Sequence, residues 1–191
     1  MIAVGSLEAI LKDADAAAGA ARSRDFAAFV ATHRDRAVGL AWRLVGGDAA
    51  AAEDVAQEAF LKAHRGLSKF REDAKLSTWF YRILVNEAQR HLRWRWVRQR
   101  VAGEMPEYPI DPRPEPIGDP ALRGRIASAV AALPRGQREA FVLVHLDGFT
   151  ISEAAAITGR AMGTIKSHLH RATGKLRVAL ADLDPHAGVT Q

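Results

Sequence analysis

The sequence has no cysteine in its 191 residues, which excludes a disulfide framework, a thiolate metal site and a cysteine nucleophile. None of its seven histidines follows another at the H-x-x-x-H spacing that sets two imidazoles on one helical face. His168 and His170 come nearest, but two residues is about 200° of helix, so they face apart. Long apolar runs are also missing. From Met1 to Ala21 the chain is interrupted by Glu8, Lys12, Asp13 and Asp15, so there is no signal-peptide core, and nothing reaches the ~18 apolar residues of a membrane helix. The expected location is cytoplasmic. A phosphate-binding loop is absent too. In "GRAMGTIKS" Gly159 and Gly163 are separated by three residues, Lys166 follows no glycine, and the motif needs four residues and then Gly-Lys-Ser/Thr.

Alanine and positive charge are abundant. The 37 alanines are strong helix formers and point to an all-α protein, and a net charge of +5 points to a polyanionic partner. The charge is uneven: residues 1–20 carry −2, 21–100 carry +7, 101–120 carry −4 and 121–191 carry +4. Six of the eight prolines fall between Pro106 and Pro120, where no apolar periodicity survives and helix continuation is blocked. The expected organisation is an extension over 1–21, a helical domain over 22–100, an acidic proline-rich linker over 101–120, a second helical domain over 121–181 and a tail over 182–191.

In the first block, Phe26, Phe29, Val30, Ala37, Leu40, Ala41 and Leu44 form one helical stripe that stops at Gly46-Gly47. Asp48 is placed to cap a second helix with the stripe Ala52, Val55, Ala56, Ala59, Phe60 and Ala63. A third helix starts at Ser77 or Thr78 and runs through Phe80, Ile83, Leu84, Ala88 and Leu92. Such stripes are core, and the opposite faces carry the information. On the second helix Asp54, Gln57, Glu58 and Leu61 share a face, a leucine inside a polar rim, which suits a docking surface as well as an ordinary solvated one. Asp54 and Glu58 could also be weighed as a catalytic or metal pair, but no E-x-x-H partner exists. The third helix continues into Arg90, Arg93, Arg95, Arg98 and Arg100, interleaved with His91, Trp94 and Trp96 and with no acid between Arg90 and Arg100. Arginines for phosphate and flat rings for unpaired bases favour a single-strand surface, to which Trp79 and Tyr81 add rings.

The second block is punctuated as a helix-turn-helix. Leu133-Pro134 opens a helix that Asp147-Gly148 ends, Thr150 and Glu153 form a capping box, Gly159 turns the chain, and a last helix begins near Gly163. With Ile165, Leu169, Ala172 and Leu176 inward, Thr164, Lys166, Ser167, His170 and Arg171 lie on the outer arc, as a major-groove reader requires.

Three strings together resemble the bacterial extracytoplasmic-function sigma factors, two-domain promoter-recognition subunits of RNA polymerase. "AEDVAQEAF" (Ala52 to Phe60) is similar to the family's core-binding motif, "STWFYRILVN" (Ser77 to Asn86) to its promoter-melting segment, and "LPRGQREAFVL" with "GTIKSHLHRA" to its C-terminal helix-turn-helix. The resemblance covers residues 22–181. It implies that Asp54, Gln57, Glu58, Phe60 and Leu61 dock on the clamp coiled coil of the polymerase largest subunit, with a further contact to the flap region. It implies that the segment Phe70 to Ser77, including Lys75 and Leu76, captures a flipped base, and that Trp79, Tyr81, Arg82, Asn86, Arg90 and Arg93 hold the melted strand of the downstream element. Arg160, Thr164, Lys166, Ser167, His170 and Arg171 would read the upstream element as duplex, and the acidic linker would thread through the polymerase. The resemblance also implies control by an anti-sigma factor. No enzyme activity, cofactor, metal or small-molecule substrate is expected.

Some residues depart from the family pattern. Ala161 stands where a capping serine is common, a loss of ~1 kcal/mol, Arg160 replaces an apolar residue, His168 stands where arginine is common, and Gly174 interrupts the last helix at roughly 1 kcal/mol. The linker reaches at most ~60 Å as polyproline against about 68 Å for two duplex turns, so the widths of both domains are needed to touch both elements. Two rivals are a free-standing helix-turn-helix regulator, which leaves the Arg/Trp surface unexplained, and a helical metal or hydrolytic enzyme, which lacks the ligand spacings.

Overall fold

The computed structural model describes residues 4–70, 75–102 and 120–183. The expected linker at 103–119 and most of the base-capturing segment after Phe70 lie outside them. All regular structure among the described residues is helical: α1 (Val4–Val45), α2 (Ala49–Gly66), α3 (Leu76–Ala102), α4 (Pro120–Ala131), α5 (Arg135–Phe141), α6 (Ile151–Thr158) and α7 (Met162–Ala179), with a π-helical continuation of α5 over Val142–Leu146. They divide into two compact units within α1, between Asp35 and Arg36.

In the first unit, Phe26 stacks on Phe29 (6.0 Å between centroids), and Phe29 lies 4.3 Å from the His33 ring. The helix is continuous through residue 21, where an extension was expected to end. Helix formers and the absence of proline over 4–24 account for its length, although no apolar stripe marks it.

The second unit begins with the buried end of α1, where Ala37, Val38, Leu40, Ala41, Leu44 and Val45 are at most 3% exposed. Gly46 and Gly47, at φ +87° and +91°, end that helix in the left-handed region that side chains avoid. Asp48 then caps α2, accepting the Ala51 N–H at 2.9 Å. The buried face of α2 consists of Ala51, Ala52, Ala56, Ala59 and Ala63 around Val55, so α3 approaches closely enough to seat Phe80 and Leu84, both fully buried. Each contributes roughly 1.5–3 kcal/mol through burial. Phe60 stacks on Phe80 at 4.4 Å.

In the second block, α4 was not anticipated from its sequence. Pro134 precedes α5 as the proline suggested, and the Thr150–Glu153 capping box is complete in both directions. Gly159 takes φ +67°, turning α6 into α7. Ile165, Ala172 and Leu176 point inward from α7. Ala161 provides no side-chain cap to α7. The helix passes through Gly174, where a Cβ would meet nothing within 4 Å. His168 fits because residue 136 is glycine: a Cβ there would come within 2.8 Å of its Nε2. Across the blocks, α6 packs on α3.

Candidate nucleic-acid and docking interfaces

At ~100° per residue, α3 has three long faces. One looks toward α2 across an open groove of about 800 Å³ whose walls include Asp54, Gln57, Glu58 and Leu61 from α2 and His91 and Trp94 from α3. Leu61 is 43% exposed at its centre, the arrangement the sequence suggested. Beneath it the buried Glu87 accepts from Lys62 at 2.7 Å and pairs with Arg90 at 3.0 Å, tying the helices together. Phe60 faces elsewhere, into its stack with Phe80. His91 Nε2 is buried with no hydrogen-bond partner among the described residues. Burial lowers the pKa of that imidazole, assisted by Arg95 and Arg98 and opposed by Asp48 and Asp54.

The second face carries Arg82, Asn86, Arg90 and Arg93, all exposed and within about 80° of one another. Trp79 shares that side but packs on Phe70, at 5.2 Å, and over Gly66. Lys75 is exposed at the start of the helix, with Leu76 and Ser77 half-buried beside it. Toward the C-terminus Trp94 and Trp96 are 62% and 54% exposed, and Arg100 lies over the Trp96 ring at 5.0 Å. Arg95 pairs with Asp48 at 3.7 Å.

The third face is covered by the second block. Tyr81, expected on the strand-holding surface, is fully buried, edge-on to Phe149 at 5.0 Å. Burial pushes its phenol up to about 12, with Asp147 adding to the rise and Arg36 opposing it. Its position three and seven residues before Leu84 and Ala88 puts it in the apolar stripe, a signal the sequence does contain. Further along, Gln89 Nε2 donates to Glu139 at 2.9 Å, and Arg138 donates to the Leu44 carbonyl at 3.3 Å.

On α7, Thr164, Lys166, His170 and Arg171 are exposed and Ser167 is half-buried, as expected of the outer arc. Arg160 is engaged elsewhere: its guanidinium pairs with the buried Glu139, which also accepts from Arg135 at 2.9 Å. At the first helix of the pair, the Thr150 N–H and hydroxyl hold the Glu153 carboxyl below its usual pKa. No group of three or more metal-ligating side chains occurs among the described residues, and no described helix is long and apolar enough to cross a membrane.

Two family models match in the order of these surfaces: Sigma-70 region 2 over residues 29–98 and Sigma-70, region 4 over residues 123–176. The chain belongs to the extracytoplasmic-function RNA polymerase sigma factors. It is 36% identical over 142 residues to the ECF RNA polymerase sigma factor SigM of Mycobacterium tuberculosis, covering 74% of this chain and 70% of that one. It is 32% identical over 171 residues to the RNA polymerase sigma-H factor of Pseudomonas aeruginosa, covering 84% and 88%. Among solved structures it is similar to the sigma factor RpoE in complex with the anti-sigma factor NepR from Bartonella quintana, with a TM-score of 0.74, 29% identity, and 83% and 98% of the two chains covered. CnrH in complex with the cytosolic domain of CnrY gives a TM-score of 0.63 at 29% identity, covering 88% and 95%. As a sigma factor the protein acts in transcription initiation as a DNA-binding regulator. The free-standing regulator does not account for the region 2 match.

Proposed function

We propose that this sigma factor directs RNA polymerase to specific promoters through three surfaces. The groove between α2 and α3 docks on the clamp coiled coil of the core enzyme, with Asp54, Gln57 and Glu58 as the polar rim around Leu61 and with the flap region contacting region 4. The Arg82, Asn86, Arg90 and Arg93 strip, with Lys75, Trp79 and the exposed tryptophans, holds the melted downstream element. Thr164, Lys166, Ser167, His170 and Arg171 read the upstream element as duplex. An anti-sigma factor controls it, as the NepR and CnrY complexes suggest. The observation that carries this reading is the separation, on one chain, of an acid-rimmed leucine, an arginine/tryptophan helix and a bare recognition helix.

A reconstituted run-off assay tests it: the protein added to core polymerase should start transcripts at one promoter class, and failure to bind core at all would refute it. Leu61→Asp should lower core affinity by at least ~100-fold, about 2.7 kcal/mol, with helix content unchanged by circular dichroism. Loss of helix would instead make Leu61 part of the core.

A further inference from the structure

Along α3, Gln89, Leu92, Arg93, Trp96 and Gln99 recur at i, i+3, i+4, i+7 and i+10, so they share one face of the helix. Arg135 and Arg138 stand one turn apart on α5. Together with Arg95 these side chains enclose an open cavity of about 210 Å³, beside the bond from Gln89 to Glu139. Its walls hold four guanidinium groups, two from region 2 and two from region 4, and no carboxylate among the described residues. Arg93 is exposed, with no hydrogen bond or ion pair among the described residues. Arg135 donates from Nε to Glu139 at 2.9 Å. A guanidinium has five N–H donors in a rigid fork, so Arg93 and Arg135 keep donors for a further acceptor. Arg138, 7% exposed, donates to the Leu44 carbonyl, and Arg95 pairs with Asp48 at 3.7 Å.

Four cations around so small a space repel one another, and the two neighbouring carboxylates serve other donors as well. Glu139 also accepts from Arg160 and Gln89, and Asp48 caps α2. A bound anion supplies the balance. At ~30 Å³ each, about seven groups the size of a water molecule fit the cavity, which is the number of oxygens in a diphosphate. Trp96, 54% exposed, adds a flat ring to the wall, and the half-buried Gln99 adds an amide. We propose that this cavity is a binding site for a nucleoside diphosphate, whose diphosphate bridges Arg93 and Arg95 on α3 to Arg135 and Arg138 on α5 and whose base lies on Trp96. Arginine forks match phosphate oxygens in pairs, and an indole stacks on any base. A phosphodiester of a strand brings a single charge to four guanidinium groups; a diphosphate brings more. The site is independent of the promoter reading, since its ligand binds the free protein without polymerase or promoter.

Calorimetric titration of the full chain with ADP, pyrophosphate, inorganic phosphate and adenosine in turn tests it. ADP should saturate one site, at least about fivefold more tightly than pyrophosphate. Pyrophosphate should bind at least about tenfold more tightly than inorganic phosphate, and adenosine at least ~100-fold more weakly than ADP. Arg93→Gln and Arg138→Gln, one on each wall, should each weaken ADP at least about tenfold. Arg177→Gln, the same loss of charge at an exposed position of α7, should change ADP affinity less than about twofold. Trp96→Leu should bring ADP down to the affinity of pyrophosphate and leave pyrophosphate within about twofold. The proposal is overturned if ADP does not saturate one site, if inorganic phosphate or adenosine equals ADP, or if Trp96→Leu costs ADP nothing. It is overturned as well if Arg177→Gln matches Arg93→Gln, because the binding is then diffuse attraction to a basic protein. Should Arg138→Gln fail to fold, Arg135→Gln at the exposed end of the same wall takes its place.

Discussion

Helices α3 and α7 carry the most net positive charge of the described helices, and on the proposed reading they serve different forms of the same polymer. Over its 27 residues α3 interleaves arginine with exposed indole rings, and several of its cations are already neutralised, Arg90 by Glu87 and Arg95 by Asp48. The 18-residue α7 exposes no indole or phenol, and Lys166 and Arg171 have no ion-pair partner among the described residues. Flat rings offer faces to unpaired bases, while slender donors reach the edges of paired ones. The helices differ in access as well. One flank of α3 is covered by region 4, and the outer arc of α7 is bare. On the proposed reading, positive charge draws both toward DNA, and the side chains between the charges decide what each can read.

If that contrast is sound, uncovering α3 should be possible without touching α7, and pH is the strongest lever. Asp147 holds its proton more tightly when packed, at about 6, than at its ordinary 3.8. Packing of region 4 on α3 is then favoured most below the ordinary value and weakens as pH climbs through 6, by at most about 3 kcal/mol. Energy transfer between dyes on α2 and α7 should fall between pH 5 and 7.5, and Asp147→Asn should flatten that dependence. A wild-type signal insensitive to pH would count against it.

Next in size is a reciprocal pair. Arg171→Ala should weaken binding of the upstream duplex by roughly 1 to 3 kcal/mol and leave single-strand affinity alone. Trp96→Ala should do the reverse by a similar ~1 to 3 kcal/mol. Anisotropy titrations with both probes check this, and equal losses on both would erase the distinction between the helices. Gly136→Ala tests the seat of α7: by crowding His168 it should lower stability by about 1 to 3 kcal/mol in a denaturant melt, and His168→Ala should restore most of the loss. The smallest effect is expected at Gly174, where alanine meets open space and should raise stability by up to ~1 kcal/mol.

Local chemistry was legible in the sequence. Asp48, the Thr150–Glu153 pair and Gly159 each act within one turn of chain, and each occupies the position its residue type suggested. The exposed leucine among polar side chains on α2 followed from helical spacing alone, whereas the groove it lines with α3 did not. Pairings across the chain were not legible: nothing in the neighbourhood of Arg36 announces Asp147, and nothing around Arg160 announces Glu139, because a contact between distant residues leaves no periodic trace. Tyr81 shows how the two kinds of evidence compete. Its ring beside arginines suggested a stacking platform, while its phase with Leu84 and Ala88 placed it in the core, and the structure buries it. Helix α4 does carry a signal, Leu122, Ile126 and Val130 at i, i+4 and i+8, but it opens on the last proline of the proline-rich segment, and two of the three are partly exposed, Leu122 and Ile126 at 38% and 39%.

The π-helical stretch Val142–Leu146 gives the Asp147 pairing its aim. Its wider ring, with the Asp147 N–H bonded to the Val142 carbonyl at 2.9 Å, accommodates one residue more than an α-helical turn would. In an α-helix that surplus residue is worth about 100° of rotation, the difference between a carboxylate directed at Arg43 and one directed at water. The Asp147 contact is thus a matter of helical phase, one of several that dock region 4 on region 2.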